Sequence, residues 1–557
     1  PIANSNLTNS DRCSDKVEVV DLAILEIMVI PPFKPKLPEI AESEQTPLVR
    51  SLLQLIAEQQ EQIQRLTDEV RRLKGGPPRP QLKPNTLEPA GDANAEESGV
   101  LDGPCPRRRG PHRAKTAELV IHETCSVPLV GVPDGSRFKG YRRYVVQEVE
   151  IRTHNTGYLL EQWQFPTGEC VTAPVPLAVH GGHYGPQLVS YLLHQYYHAH
   201  VTQPLLLAQM QDWGIEMSAG QLNHLLTEDH HLFHQEKAAI KATGLAVSAY
   251  FQADDTGARH RGRNGYCTYI GNEWFAWFAS TDSKSRVNFL ELLQVERRYE
   301  VNAEALAYMA ERGLAAGHRE MLAARPVVMT DPKDWAAHLR RNLVGSRRAV
   351  ALATEGALIG GLVAQGFNLE MGLLSDDAGQ FDRFVHGLCW VHAERPLQHL
   401  LPLNESDRRA IAGVREQFWG LYRDLKTYRQ APDPAAKADI TSRFEALYIT
   451  ETSCEPLNQV LRGFQHKQAE LLRVLDRPDL PLHNNRSEND LRDMVKKRKI
   501  SAGTRSEVGR QCRDTFASLK KTCRKHGLSF WEYLKDRVSG LNVIPPLGEF
   551  IRQAATS

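Results

Sequence analysis

An apolar, strand-like run over Val247–Asp254 ends in Asp254-Asp255-Thr256-Gly257, and this junction constrains the fold more than any other stretch. A carboxylate carried on a central strand sits in the interior, where an ionised group is costly unless a cation or a hydrogen-bonding partner meets it. Two further runs, Gly265–Gly271 and Trp274–Ala279, read as strands, and Ser285–Leu293 reads as a helix.

A second junction of strand and carboxylate stands at Met371-Gly372-Leu373-Leu374-Ser375-Asp376-Asp377. Another apolar strand, Val385–Val391, follows it and leads into His392, Ala393, Glu394 and Arg395. A third candidate, Glu488, lies in His483-Asn484-Asn485-Arg486-Ser487-Glu488-Asn489-Asp490-Leu491-Arg492, at the start of a helix. Three consecutive strands with a carboxylate on the first are how an RNase H-like sheet begins. Three carboxylates on two strands and one helix can hold two Mg²⁺ ions about 3.5–4 Å apart, one activating an attacking oxygen and the other stabilising a leaving oxygen. Asp and Glu suit that task because Mg²⁺ takes hard oxygen ligands and keeps waters for a phosphate. Each residue also has a plainer reading. Asp254 or Asp255 could cap a turn, Asp376 could start a helix, and Asn485 with Glu488 could form a capping box. Taken singly, the plainer readings lead.

The rest of the chain sets the context. Its 557 residues imply three or four domains, and a hydrophobic share of 41% with 24% charged residues is ordinary for a protein with real cores. Net charge is +1, so any nucleic-acid surface must come from local segregation of charge. Nine cysteines without a Cys-x-x-Cys pair exclude a disulfide scaffold and a four-cysteine zinc ribbon. Val19–Ile30 is too short to span a bilayer and carries Asp21 and Glu26, so no membrane role and a reducing, cytoplasmic location are expected.

Residues 1–44 read as an N-terminal arm. Over 45–74, Leu52, Ile56, Gln59, Ile63, Leu66, Val70 and Leu73 keep the 3.5-residue period of a coiled coil, which implies a homodimer or higher oligomer. Residues 75–118 form a flexible linker that carries the basic run Arg107, Arg108 and Arg109, a candidate minor-groove arm. Residues 119–178 read as a small β module, with strands over Tyr144–Ile151 and Tyr158–Phe165; His122 and Cys125 have the spacing of a metal pair but no second pair. Residues 179–243 read as helical. Gln203–Trp213, a turn with Ser218 as N-cap, and Ala219–Leu226 fit a helix-turn-helix or a plain helical hairpin.

At these residues the chain resembles the DDE transposases of the insertion sequence 66 family, the TnpC-like proteins. The resemblance covers roughly 45–540. Its motifs are the strand ending in Asp254-Asp255-Thr256, the Ser375-Asp376 junction, Cys389-Trp390-x-His392-Ala393-x-Arg395, and Leu482-x-Asn484-Asn485-x-x-Glu488. The last of these, followed by Arg492, Arg498-Lys499 and Ala502-Gly503, is the most specific. The resemblance implies that Asp254, Asp376 and Glu488 are catalytic and bind two Mg²⁺ ions, with Mn²⁺ as a substitute, and that Asp255 stands where the family usually has Glu. It implies an RNase H-like α/β catalytic domain over 244–540 with insertions at about 294–370 and 396–480, a degenerate zinc-ribbon-like module at 119–178, and a C-terminal tail at 541–557. The whole is then a multidomain α+β protein.

The expected partners are double-stranded DNA, as transposon terminal inverted repeats and target, together with small helper proteins of the same element. The expected reaction is cleavage at the transposon end and transfer of its 3′-OH to target DNA, by a protein associated with the bacterial nucleoid. Two departures from the family stand out: the missing cysteine ribbon, and the long segment 294–370, whose strand ending in Asp331 makes that residue a rival to Asp376. After Glu488, Arg492, Lys496, Lys497, Arg498, Lys499, Arg505 and Arg510 put cations beside the site for phosphates to meet, and His392 and Arg395 can also approach DNA. The competing readings are a catalytically inert DNA-binding protein of the same fold, which predicts a missing carboxylate, and a nuclease that cleaves without joining.

Overall fold

The run that enters Asp254 builds the central strand of a six-stranded mixed sheet in a computed structural model of the chain. The structure describes residues 120–142, 144–175, 182–382, 384–449 and 451–556, together with Gln59. The arm, the rest of the expected coiled coil and the run Arg107, Arg108 and Arg109 lie outside the described residues.

The strands are β1 (Tyr250–His260), β2 (Arg263–Gly271), β3 (Ala276–Thr281), β4 (Gly372–Ser375), β5 (Val385–Leu388) and the short β6 (Gly503–Thr504). Their order is β3-β2-β1-β4-β5, with β6 also on β1. The first three form an antiparallel meander, while β4, β5 and β6 run parallel to their neighbours. β1 does not stop at Asp254, as expected, but runs on for six residues. Arg261 and Gly262 then turn it into β2, both with positive φ, as a two-residue hairpin turn requires. Every residue of β4 is buried, which is why its sequence is a plain apolar run without alternation.

Helices α1 (His231–Val247), α4 (Asn485–Ser501) and α5 (Glu507–Lys525) pack on the sheet, while α2 (Trp390–His399) and α3 (Glu405–Gln430) belong to a separate helical unit. An edge strand leaves backbone N–H groups open. On β3 they are taken by side chains of α5. Ala276, Phe278 and Ser280 donate to Thr522 (3.2 Å), Ser518 (3.0 Å) and Asp514 (2.6 Å). Residues four apart on the helix meet residues two apart on the strand, since four helical rises and two strand rises are both roughly 6–7 Å.

The segment 294–370 adds a two-stranded ribbon, Tyr299–Glu300 with Val328–Met329, and four helices. The last helix, Arg347–Ala364, lies so close to the ribbon that a Cβ at Gly361 would stand 2.1 Å from the Arg298 carbonyl oxygen. Asp331 caps the Pro332–Arg341 helix by accepting from Lys333 N at 2.6 Å. From Trp390 to Leu482 the chain forms a helical unit with a second core around Phe418, Phe444 and Leu461. Trp390, fully buried, stacks near Phe418 with centroids 4.5 Å apart and donates to the Leu471 carbonyl at 2.8 Å.

Other expectations change. Among the described residues of the β module only the ribbon Gln162–Gln164 with Cys170–Thr172 is regular, and Tyr144, Val146, Val149 and Ile151 stand exposed instead of covering a core. Helices do occupy Gln203–Asp212 and Ala219–Thr227, with Ser218 and Gln221 in a reciprocal capping box. α1 crosses the expected boundary at 243 and packs in the main core. The 541–557 tail contains a helix, Leu547–Thr556, that buries Leu547 and Ile551 in that same core. Among the described residues, no helix is long and apolar enough to cross a membrane.

Candidate active site

The pairing of β1 with β4 aligns Tyr250, Phe251 and Gln252 with Gly372, Leu373 and Leu374. Continuing that register by two residues brings Asp254 level with Asp376, on parallel strands about 4.8 Å apart. Successive strand residues face opposite ways, so Gln252, Asp254 and Thr256 share one face and Asp255 points to the other. Asp255 is satisfied there, accepting from Thr268 Oγ1 (2.5 Å) and Gln380 Nε2 (2.8 Å). The two consecutive aspartates therefore separate into one facing the cluster and one that holds structure.

Asp376 does not start a helix. It closes the end of β4 by accepting from Ala378 N at 3.2 Å. Beneath it, fully buried Ser375 lies 2.8 Å from His386 Nε2, which fixes the strand end.

Glu488 sits in the first turn of α4, but no capping box forms, because the N-cap Asn484 makes no side-chain cap bond. The Glu488 carboxylate turns instead toward α2. The expected strand Val385–Val391 ends at Leu388; Cys389 is the N-cap of α2, so His392 and Arg395 lie one helical turn apart on one face. His392 Nε2 stands 3.2 Å and Arg395 Nη2 stands 2.9 Å from the same Glu488 oxygen. The two motifs are tied at their bases too, with Asn484 N donating to Cys389 Sγ at 3.4 Å.

The electrostatics split the carboxylates. Burial, and then the nearby charge of Asp376, push the Asp254 carboxyl up to about 7. Burial likewise raises Asp255, against the hydrogen bonds from Thr268 and Gln380. Glu488 moves the other way, held below the usual range by the His392 hydrogen bond in spite of its own burial. Burial disfavours charge on His392, but its hydrogen bonds with Cys389 and Glu488 outweigh that and push it up to about 10.

Asp254 and Asp376 thus form a pair of facing carboxylates that calls for a cation. Around them lie buried oxygen atoms without hydrogen-bond partners, Gln252 Oε1 and Asn484 Oδ1. This donor set fits a hydrated Mg²⁺. With Glu488 drawn toward His392 and Arg395, no three His, Cys, Asp or Glu side chains among the described residues are grouped so as to hold a metal ion. Asp331, the rival to Asp376, follows the separate two-stranded ribbon and not the six-stranded sheet, and there caps the Pro332–Arg341 helix. His122 and Cys125 are exposed, with Cys125 Sγ directed at Glu123.

The basic residues divide as well. Arg492, Lys496 and Lys499 are exposed and spaced four and three apart, so they form a stripe along α4. Arg505 is exposed beyond them. Lys497 is buried; it donates to the Tyr196 carbonyl at 3.1 Å, and burial lowers it to about 8. Arg498 donates to the Gly257 carbonyl, and Arg510 pairs with Asp282 and Glu507. Lys520 and Lys521, also in the basic stretch, are buried against Asp493. Gln252 is the functional candidate that sequence reasoning missed, while Asn484 stood in the motif without a role of its own. Gln252 stands two residues before Asp254, so strand alternation alone could have flagged it.

Residues 373–512, which include Asp376 and Glu488, match the family model described as "Transposase IS66 family". The uncharacterized protein y4jO of Sinorhizobium fredii (strain NBRC 101917 / NGR234) is 41% identical over 318 residues, 56% of this chain and 99% of that relative. No solved structure matches.

Proposed function

This chain belongs to the IS66 transposase family, and on that premise we propose that it binds double-stranded transposon ends, cuts them and joins the freed 3′-OH to target DNA. The observation that supports the chemistry is the level register of Asp254 on β1 and Asp376 at the end of β4, with Glu488 on α4 near enough for its charge to be felt at Asp254. A sheet in the order β3-β2-β1-β4-β5, with a meander on one side and parallel strands on the other, supports reading the domain as RNase H-like.

Asp254 and Asp376 would hold Mg²⁺, with Glu488 as the third carboxylate. Bound there, the ions supply Lewis-acid activation of the attacking oxygen and charge stabilisation at the leaving one. The chain's own residues do the rest. The pairing of β1 with β4 and the Ala378 bond to Asp376 hold the two half-buried aspartates in position, so the site needs little reorganisation. Arg395 and the protonated His392 are donors at the rim that can accept a phosphate in place of Glu488. The stripe of Arg492, Lys496 and Lys499 extends positive charge from that rim along the DNA backbone. The helices at 203–227 are the proposed end-binding element, and the 45–74 segment is the proposed means of pairing two copies.

Incubating the full chain with Mg²⁺, duplexes carrying the terminal repeats that flank its gene, and a plasmid target tests this. Joined products are expected. Cleavage without joining would make it a hydrolytic nuclease, and no cleavage at all would sink the enzymatic reading.

A further inference from the structure

A cavity of about 540 Å³ opens beside the carboxylates, between α2 and the Glu455–His466 helix, with Asp376 in its wall. Its size is that of a small-molecule site, for which roughly 300–1,000 Å³ is usual. Leu388, Val460, Phe464 and Leu471 make the inner wall apolar, and at its edge Arg395 and Lys467 stand paired with the carboxylates of Glu488 and Asp377, partners that phosphates can replace.

Two backbone features keep this space open. Gly463 lies inside the Glu455–His466 helix, where a glycine costs about 0.5–1 kcal/mol relative to alanine. A Cβ built on it would meet nothing within 4 Å, so packing is not what requires the glycine. Opposite, Pro396 sits within α2 and has no N–H to give the His392 carbonyl one turn back.

We propose that this cavity receives one unpaired nucleobase, from the nucleotide adjoining the phosphodiester that Asp254 and Asp376 address. The inference rests on the transposase reading above. An apolar chamber suits the flat faces of a base, and the cations suit the phosphates on either side of it. Sharing Asp376 with the carboxylate site ties the base to the strand being cut. Extruding a base is costly, and stacking on an aromatic side chain such as Phe464 returns part of that cost. The pocket therefore selects the end of a duplex, where pairing is weakest.

The test places 2-aminopurine, in turn, at each position around the end of a terminal-repeat duplex. Fluorescence is read with wild type and with Gly463→Leu in EDTA, where no cleavage occurs. One position should brighten several-fold with wild type and stay dark with Gly463→Leu. With Mg²⁺ the variant should cleave about tenfold more slowly, the equivalent of one lost stacking contact. An abasic nucleotide at the bright position should restore its rate. Gly463→Phe, filling the same space differently, should behave alike, and far-UV circular dichroism checks that both are folded. Equal brightening in wild type and variants, no brightening at any position, or no abasic rescue overturns the proposal. Absence of cleavage by wild type overturns the transposase reading separately, because the fluorescence arm does not depend on it.

Discussion

His392 Nε2 lies 3.2 Å from Glu488 Oε1, and this contact joins two motifs almost a hundred residues apart in the chain. Both partners are shifted toward their charged forms, so it is an ion pair at the rim of the carboxylate cluster. Asp254→Asn, Asp376→Asn and Glu488→Gln should each cut DNA cleavage by about a hundredfold or more, since each amide keeps shape but ligates Mg²⁺ poorly. Asp331→Ala should leave cleavage unchanged and cost about 1 kcal/mol of stability, through loss of a helix cap. Gel assays of cleavage beside thermal melts separate the two effects. Full activity in any of the first three removes that residue from the site.

Asp254 also predicts a pH effect. Its folded value of about 7 lies above the ordinary 3.8, so the folded state holds a proton that the unfolded state has lost between those values. Stability contributed by this group is present below pH 4 and lost as pH rises toward 7, by at most about 4 kcal/mol. Asp254→Asn should therefore melt higher than wild type at pH 8 and equally at pH 4. Adding Mg²⁺ at pH 8 should raise the wild-type Tm more than that of the variant. A metal shift of the same size in both proteins would move the cation elsewhere.

His230 gives the opposite sign. Burial lowers it to about 4, despite its contact with the Leu225 carbonyl at 3.2 Å. The unfolded chain then binds the extra proton between pH 6.5 and 4, so stability is full above 6.5 and falls as the solution is acidified. In denaturant titrations, His230→Gln should show a shallower decline over that window. An unaltered slope would place the acid sensitivity in other groups.

Replacing Arg492, Lys496 and Lys499 together by Gln should lower the slope of log affinity against log salt, by about one unit per lost phosphate contact. Lys497→Gln should instead lower the Tm and leave that slope alone, because Lys497 bonds the Tyr196 carbonyl inside the protein. Binding titrations at several salt concentrations tell the two classes apart.

The sheet and its carboxylates were readable because burial leaves plain marks: apolar runs entering Asp254 and Asp376, and a helix start at Glu488. What failed shares a cause. The capping box, the strand end at Asp254 and the strand through Cys389 are local rules, and each was overridden by a partner outside the element. Glu488 prefers His392 and Arg395 to its own helix end. β1 continues because β2 pairs with it to His260. The basic stretch hid two kinds of lysine, since charge alone does not tell a cation facing solvent from one folded against Asp493. The bonds from β3 to Asp514, Ser518 and Thr522 join residues over two hundred positions apart, which no periodicity displays.

The β6 pairing has a mechanical consequence. From Asp254 to His260 the strand covers about 20 Å, and from Glu488 to Ser501 the helix covers about 20 Å. The two rods thus run side by side and are stitched together at the far end, where Gly503 and Thr504 pair with Arg259 and His260 and Arg498 grips Gly257. The near end is held too, by Asp490 against Lys525 (2.9 Å) and Arg486 against Glu273 (2.9 Å), so the backbone beneath Glu488 is fixed at both ends and engagement of the third carboxylate reduces to rotation of one side chain.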